Sequence, residues 1–377
     1  MRESMAITAA PARTFAPMAL DRITLAHYRN HRETSLSGTA QFNLLVGENG
    51  AGKTNILEAL SLLSPGRGLR RAALSEIAGP AGGGGFAVGA SLKEQGHESA
   101  RIGTYVEAER VNRRLVRING AEGTAASLAE WLAIGWLVPA MDGLFTDSAG
   151  ARRRFLDRMT LAIRPEHARH VSRYETALRE RNKLLEQNRS SNATWLDALE
   201  GQAGELGAAV TEGRAALVHA LSDELSALPD APFAKPVLAY RAGGPDNATE
   251  LAQALAANRA RDRAAGRALT GPQRDELEVV MAGTGQPAAA CSTGEQKAML
   301  IAITLAHSVL SVAGRPGVLL LDEVAAHLDP VRRAALFDRL RAGKAQVWLT
   351  GTEAAPFAEI MDEAAVWKVS GGTVERL

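Results

Sequence analysis

The stretch Gly47-Glu48-Asn49-Gly50-Ala51-Gly52-Lys53-Thr54 decides the fold of this chain of 377 residues. It matches the pattern G-x-x-x-x-G-K-[ST], whose glycines let successive backbone N–H groups surround phosphate oxygens. Residues 41–46 form an apolar run that predicts a strand, and residues 55–63 carry apolar side chains at helical spacing. A strand, a glycine-rich turn and a helix in this order predict a phosphate-binding loop. Lys53 is then expected at the β- and γ-phosphates, and Thr54 as a ligand of Mg²⁺.

The composition excludes several classes of protein. Hydrophobic residues make up 46% and charged residues 23%, which is ordinary for a globular protein and excludes disordered and collagen-like chains. The 43 basic and 42 acidic residues nearly cancel, so a polycation that simply coats nucleic acid is excluded. Arg strongly outnumbers Lys, which either the base composition of the genome or bidentate phosphate contacts would explain.

The expected location is the cytoplasm. The single cysteine, Cys291, excludes an internal disulfide and fits a reducing compartment. No run of about 18 apolar residues predicts a transmembrane helix, so no membrane association is expected. Residues 1–18 lack a continuous apolar segment and are expected to be a disordered extension, not a signal peptide.

A second motif, Gly317-Val-Leu-Leu-Leu-Asp322-Glu323, complements the loop at 47–54. A buried apolar strand that ends in Asp322 is typical of a carboxylate in the Mg²⁺ shell, and Glu323 is then placed to polarise an attacking water. Together with Lys53, these residues predict a site of nucleotide hydrolysis.

Two shorter motifs identify the superfamily. Ser292-Thr-Gly294-Glu295-Gln296 precedes an apolar helix and resembles the signature motif of the ABC ATPases, and His327-Leu-Asp329 lies where that superfamily has its D-loop. In ABC ATPases the signature of one subunit meets the nucleotide bound to another. The resemblance therefore implies a homodimer in which Ser292, Gly294, Glu295, Gln296 and Asp329 contact the ATP of the partner subunit.

The spacing of the motifs predicts how the chain is organised. Lys53 and Asp322 are too far apart in sequence for one compact core, so an insert must separate the two halves of the site. We expect a head domain formed by residues 19–149 and 233–377, with an inserted helical arm at 150–232. Basic side chains prevail in residues 151–190 and acidic ones in residues 191–230. Either these segments pair through opposite charge or each forms a solvated face.

The predicted fold class is α/β: an ABC-type ATPase head with a phosphate-loop core, an antiparallel β layer around residues 86–120 and the helical arm. Asn119-Gly120 predicts a hairpin in that layer. A transporter subunit would have a shorter core, and a chromosome-structure ATPase would carry long heptad repeats. A compact, non-transport ATPase remains.

Further segments, from about Leu20 to the C-terminus, carry a more specific resemblance: Leu25-Ala-His-Tyr28-Arg29-Asn30-His31, Gly50-Ala-Gly-Lys-Thr-Asn-Ile-Leu-Glu58, Ser64-Pro-Gly-Arg67-Gly-Leu-Arg70, Arg152-Arg-Arg154-Phe-Leu-Asp157 and Gly271-Pro-Gln-Arg274-Asp275. With these segments in this order, the sequence resembles the RecF family of bacterial recombination and gap-repair ATPases. It departs from the family at Gln273, where His is usual, and at Pro139-Ala-Met-Asp-Gly-Leu144, where no Q-loop residue can be placed. Thr350-Gly-Thr352 stands where transporters carry a switch histidine, so a γ-phosphate contact there is a Thr hydroxyl or absent.

The resemblance implies a function and its partners. These are ATP-dependent binding to double-stranded DNA near junctions with single-stranded gaps, slow DNA-dependent ATP hydrolysis that releases the dimer, and help in loading the RecA recombinase through RecR and RecO. It also implies that Arg29 and Asn30 belong to the ATP site, with Mg²⁺ as cofactor. The alternative is another compact ABC ATPase in which nucleotide controls the assembly of a protein scaffold.

Clusters of arginine are the candidate DNA contacts: Arg67, Arg70 and Arg71 after the first helix, Arg113 and Arg114 at the hairpin, and Arg152 and Arg153 at the start of the arm. Guanidinium groups on one face would bind phosphates without reading bases. Aromatic residues are only 5% of the chain, which favours duplex backbone binding over stacking on single strands. Solvated arginines on exposed faces remain the alternative for each cluster.

Overall fold

The computed structural model describes residues 19–94, 97–187, 193–229, 231–312 and 315–377. The predicted disordered extension, residues 1–18, lies outside the described residues. The strands are β1 (Leu20–Tyr28), β2 (His31–Ser37), β3 (Phe42–Val46), β4 (Phe86–Glu94), β5 (His97–Val106), β6 (Arg114–Ile118), β7 (Ala121–Gly123), β8 (Ala133–Leu137), β9 (Pro236–Arg241), β10 (Glu276–Met281), β11 (Gly317–Leu321), β12 (Gln346–Gly351), β13 (Ala364–Ser370) and β14 (Thr373–Arg376). The helices are α1 (Lys53–Ser61), α2 (Leu74–Ile77), α3 (Leu128–Trp131), α4 (Ala149–Ile163), α5 (His167–Gln187), α6 (Ala193–Ser226), α7 (Ala248–Ala257), α8 (Arg259–Ala265), α9 (Thr293–Ser311) and α10 (Pro330–Ala342).

A six-stranded, mostly parallel sheet forms the centre of the molecule. Its strand order is β14-β13-β3-β12-β11-β8, and only β14 pairs antiparallel. Strands β3, β11 and β12 are almost entirely buried because both faces of the sheet are covered there. Leu319 and Leu321 enter the core shared with α4, α6, α9 and α10, whereas Val318 and Leu320 enter the core on the opposite face. This alternation follows from the two-residue period of a strand.

The second core lies between this sheet and an antiparallel one with the order β2-β1-β4-β5-β6-β7. Helix α1 contributes Ile56, Leu57 and Leu60 to that core, so it lies between the two sheets. The predicted hairpin is present, because Ile118 pairs with Ala121 across Asn119 and Gly120. The predicted α/β fold with an antiparallel layer is confirmed.

Helices α4, α5 and α6 form the predicted helical region, and oppositely charged residues join them. Arg181 of α5 pairs with Glu200 of α6, and Arg214 of α6 pairs with Asp157 of α4. Helices α7 and α8, which follow residue 232 in sequence, pack against α6 and α5 respectively, and the two-stranded sheet β9–β10 contacts α6 through β9. The division into a head and an arm at residue 232 stays a prediction. In the part of the chain that the structure describes, no helix is both long and apolar enough to cross a membrane.

Candidate nucleotide-binding site

The carboxyl ends of three neighbouring parallel strands define the candidate site. Strand β12 lies between β3 and β11, so residues 47–54 and 322–323 follow the ends of its two neighbours, and Thr350 lies in the last part of β12 itself. Ligands of open α/β sheets bind at this edge of the sheet. The topology therefore unites motifs that are far apart in sequence.

The loop at 47–54 folds over the N-terminus of α1. Lys53 Nζ donates to the carbonyl oxygens of Gly47 (2.6 Å) and Glu48 (2.9 Å), so its ammonium group lies across the loop. Burial lowers the pKa of Lys53, while the carboxylates of Glu323 and Asp322 oppose that shift. Gly52 has a φ of +116°, and a Cβ there would lie 2.7 Å from His31 Nε2. A Cβ on Gly47 would lie 2.1 Å from the carbonyl oxygen of Val369, so neither glycine can be replaced without moving backbone or a buried ring.

Thr54 and Asp322 face each other as a candidate metal site. Thr54 Oγ1 donates to both carboxylate oxygens of Asp322, at 3.0 and 3.1 Å. Burial raises the pKa of Asp322, and the hydroxyls of Thr350 and Thr54 oppose the shift by hydrogen bonding. One hydroxyl and one carboxylate are the hard oxygen donors that suit Mg²⁺, which usually completes its shell with waters and substrate phosphates. The described residues include no group of three or more His, Cys, Asp or Glu able to hold a metal by themselves. The residues present fit Mg²⁺ bound together with nucleotide.

Glu323 follows Asp322 with an unusual backbone. Its φ is +54°, a conformation that residues other than glycine rarely adopt. Its N–H donates to Thr350 Oγ1 (2.9 Å). A non-glycine residue in this region marks stored strain, which is common at functional sites.

Arg29 and Asn30, expected in the ATP site, lie beside the loop. Asn30 Nδ2 donates to Ala51 O (3.0 Å), and Asn30 Oδ1 accepts from Asn55 (2.7 Å). Arg29 forms a bidentate pair with the buried carboxylate of Glu58, at 2.8 and 2.7 Å, and donates to a backbone carbonyl through Nη1. Asn30 thus holds the loop itself, whereas the guanidinium of Arg29 is directed at α1.

The contacts of two further residues with the loop were not predicted from the sequence. His31 Nε2 lies 3.0 Å from the carbonyl oxygen of Gly52, and the N–H of Gly372 donates to Ala51 O (3.0 Å). Gly372 belongs to the two-residue turn between β13 and β14. The dipeptide Gly371-Gly372 is a hairpin signal that could have revealed the turn, but nothing local shows that the turn lies against the loop.

The signature and D-loop residues begin helices α9 and α10. Ser292 and Glu295 form a capping box, in which Ser292 N donates to the Glu295 carboxylate at 2.8 Å. Asp329 caps α10 by accepting from the backbone N–H of Arg332 (3.0 Å). Ser292, Gly294 and Asp329 are exposed, whereas the buried amide of Gln296 donates to Cys291 O. Across the described ranges, the hydrogen bonds of these residues stay within their own turns and none reaches residues 47–54.

Several of the arginines expected to bind DNA are engaged inside the protein. Arg114 donates to the carbonyl oxygens of Leu62, Ser64 and Gly66, and burial lowers its pKa to about 10. We therefore assign Arg114 a structural role, as support for the segment after α1. Arg152 forms a bidentate pair with Glu276 (2.6 and 3.0 Å), and Arg153 donates to Asp275 O.

The other arginines divide between two surfaces. Arg67, Arg71 and Arg154 are exposed; partial burial and then the like charges of Arg154 and Arg67 lower the pKa of Arg71. We call these three residues the basic cluster. Arg70 instead contacts α1, where it donates to Asn55 Oδ1 (2.7 Å) and to the carboxylate of Glu58 (3.4 Å), so it lies beside the helix that follows the loop. Arg113 is exposed near the hairpin β6–β7.

Similar proteins of known family identify the family of this chain. The model of the RecF/RecN/SMC N terminal domain family matches residues 19–374. The DNA replication and repair protein RecF of Brucella suis biovar 1 (strain 1330) is 45% identical over 94% of this chain and 95% of its own length. The protein of the same name from Mesorhizobium japonicum is 44% identical over 94% and 97%.

Solved structures show the same fold. A structure of the recombination mediator protein RecF-ATPrS in the RecFOR pathway superposes with a TM-score of 0.83 at 21% identity, over 96% of this chain and 99% of that one. An Smc head domain from Pyrococcus furiosus, bound to the C-terminal domain of ScpA, gives a TM-score of 0.54 at 16% identity, over 95% and 96% of the two chains. By sequence and by fold, the chain belongs to the RecF family, within the RecF/RecN/SMC group of ABC-type ATPases.

Proposed function

We propose that this protein is an ATP-dependent DNA-repair protein that dimerises on ATP, binds duplex DNA near single-stranded gaps and is released by slow, DNA-dependent ATP hydrolysis. The observation that carries the proposal is the convergence of Lys53 and Thr54, after β3, with Asp322 and Glu323, after β11, on either side of the end of β12. These are the residue types that phosphoryl transfer requires, because its catalysis consists mainly of positioning and charge stabilisation.

Each residue of the site has a separate task in this proposal. Lys53 and the backbone N–H groups of the loop hold the β- and γ-phosphates. Thr54 and Asp322 hold Mg²⁺, which neutralises the charge that develops on the phosphates. Glu323 orients the attacking water and accepts its proton. Asn30, His31 and Gly372 keep the loop in shape through the carbonyls of Ala51 and Gly52.

Two copies of the chain are needed to complete the site. Ser292 and Asp329 cap helices of 19 and 13 residues, and the exposed N-terminus of such a helix attracts anions. None of their hydrogen bonds reaches the loop of their own chain within the described residues. We therefore place them, with Gly294 and Glu295, against the γ-phosphate bound by a partner subunit.

The dimer is tested by light scattering with ATP and Mg²⁺. The wild type is expected to shift from monomer to dimer, whereas Ser292→Arg binds ATP but remains a monomer, because the larger side chain fills the space of the partner's γ-phosphate. Lys53→Met is expected to bind ATP about 10–100-fold more weakly, since it loses a charge-assisted phosphate contact.

Ser148→Arg is the matched control, because Ser148 caps α4 as Ser292 caps α9, with an acceptor distance of 3.3 Å to Ala151 N against 3.4 Å to Glu295 N. It should dimerise as the wild type does. A wild-type protein that stays monomeric with ATP and Mg²⁺ would contradict the proposed dimer.

The DNA contact is proposed at the basic cluster, extended by Arg113. Like charges placed together at a surface repel each other, and a phosphate backbone relieves that repulsion. The relatives named above are DNA replication and repair proteins, and the solved structure is a mediator in the RecFOR pathway. These names support a role in DNA repair within a recombination pathway. We extend the proposal to RecR and RecO as partners, the loading of RecA as the outcome and the cytoplasm as the location.

Reversing charge in the basic cluster tests the DNA surface. Arg71→Glu with Arg154→Glu is expected to weaken ATP-dependent duplex binding at least tenfold and to reduce the salt dependence by roughly one phosphate contact per side chain. Fluorescence anisotropy with labelled duplex at several salt concentrations measures both. Arg261→Glu with Arg263→Glu, exposed on α8, makes the same change in net charge and serves as control. Equal losses in the two double variants would show that only net charge matters.

A further inference from the structure

Thr350, the penultimate residue of β12, lies between the two carboxylates of the candidate site. Its side chain is 1% exposed. Thr350 Oγ1 donates to Asp322 Oδ1 (2.8 Å) and accepts the backbone N–H of Glu323 (2.9 Å). One hydroxyl thus contacts both residues of the acidic pair, and each contact uses a different part of its hydrogen-bonding capacity.

One of these contacts constrains the Asp322 carboxylate, and the other constrains the backbone of Glu323. The contact with Asp322 fixes the carboxylate that also accepts from Thr54, and so fixes one proposed metal ligand relative to the other. The contact with the Glu323 N–H holds a peptide group whose residue has a φ of +54°. Strained backbone persists only where its surroundings enforce it, and no other acceptor for this N–H occurs in the described structure.

The end of β12 also holds the phosphate loop. The carbonyl oxygen of Gly351 accepts from the N–H of Gly47 (3.2 Å), the first residue of that loop. In the parallel register Thr350 lies opposite Leu45 and Gly351 opposite Val46. Residues 350–351 therefore connect the loop, the metal-binding carboxylate and Glu323.

We propose that Thr350 is a positioning residue, which sets the relative placement of the Asp322 carboxylate and Glu323 and so tunes both Mg²⁺ binding and hydrolysis. The proposal rests on the proposed ATPase function. The sequence left open whether a Thr hydroxyl at this position contacts the γ-phosphate. The hydroxyl proton of Thr350 is directed at Asp322, so this residue supports the acidic pair instead of contacting the γ-phosphate.

The test compares Thr350→Val, which removes the hydroxyl at nearly constant volume, with Thr350→Ser, which keeps it. Thr350→Val is expected to lower kcat about 10–100-fold and to raise by about tenfold the Mg²⁺ concentration needed for tight nucleotide binding, because residues that orient metal ligands have effects of this size. Binding of a fluorescent ATP analogue in EDTA should change less than about twofold, since no contact of Lys53 is touched. Thr350→Ser should restore kcat and the Mg²⁺ dependence to within about threefold of wild type.

Thr160→Val is the matched control, because Thr160 is also 1% exposed and its hydroxyl donates only to Leu156 O within its own helix. It should leave kcat and the Mg²⁺ dependence unchanged. Wild-type kcat and Mg²⁺ dependence in Thr350→Val would overturn the proposal. So would an equal loss of nucleotide binding with and without Mg²⁺, because that result indicates general damage to the fold. If the wild type itself failed to hydrolyse ATP, the proposed function would fail, while Mg²⁺-dependent nucleotide binding would still decide the role of Thr350.

Discussion

Glu323→Gln is expected to lower ATP hydrolysis by about 10²–10⁴-fold, the range that a positioned general base contributes, while ATP binding is kept. The amide retains the shape of the side chain but cannot accept a proton from water. Since hydrolysis is the proposed release step, the variant should accumulate as an ATP-bound dimer on duplex DNA. Phosphate release measures the first effect, and light scattering with labelled duplex measures the second.

Glu353→Gln is the control for this change, because Glu353 is an exposed carboxylate a few residues beyond β12. It should hydrolyse ATP as the wild type does. The same pair of variants separates the two function classes left open by the sequence. A switch that must cycle loses repair activity in cells when Glu323 is replaced, whereas a scaffold that only needs bound nucleotide keeps it.

The second large effect is expected in the helical region, from Arg181→Leu. Arg181 is fully buried, lies 2.9 Å from both Glu200 and Asp262, and donates to the carbonyl oxygen of Leu255. Removing it leaves Asp262 as a buried carboxylate without its counterion, which costs about 3–5 kcal/mol. The melting temperature, followed by circular dichroism, should fall by roughly 5–15 °C.

Arg179→Leu on the same helix provides the comparison. The Arg179 side chain is 70% exposed, and its partner Glu175 is 4.0 Å away, so it contributes only about 0.3–0.5 kcal/mol. Similar melting temperatures for the two variants would contradict the stabilising role of the buried ion pairs. Nucleotide binding by the Arg181 variant at low temperature would show that the damage is confined to the helices.

Most residues of the candidate nucleotide-binding site could be predicted because they belong to short local motifs. The loop, the acidic pair and the two helix caps each need a particular residue at a particular step, so a few letters identify them. The role of Thr350 could not be read in this way. It depends on which strand lies next to which, and the order β3-β12-β11 follows from contacts between distant segments.

Arg114 shows how a charge cluster can mislead. Arg113 and Arg114 are adjacent in sequence, yet Arg113 is exposed and Arg114 donates to the backbone carbonyls of Leu62, Ser64 and Gly66. Side chains alternate along a strand, and Arg114 shares the inward face of β6 with the buried Val116. That alternation was visible in the sequence and would have separated the two residues.

The boundary of the arm was harder to predict because apolar spacing shows that a helix is buried without showing what covers it. Leu251 and Leu255 of α7, and Ala268 after α8, share a core with Tyr174 and Leu178 of α5. The boundary at residue 232 stays a prediction, although the later helices α7 and α8 pack on α6 and α5. Such pairing is decided by tertiary contacts, which single-sequence periodicity does not contain.

The position of β3 in the parallel sheet has a consequence for how the protein is made. Its two neighbours in the described structure, β12 and β13, come from residues 346–370, so both edges of β3 pair with strands about 300 residues further along the chain. A ribosome that has released residues 1–345 has produced the entire phosphate loop but neither of the strands that hold it. Contacts between such distant segments form late, because closing a long loop costs entropy before any stabilising contact has formed. We therefore expect the phosphate loop to be held in its binding conformation only after residues 346–370 have been made.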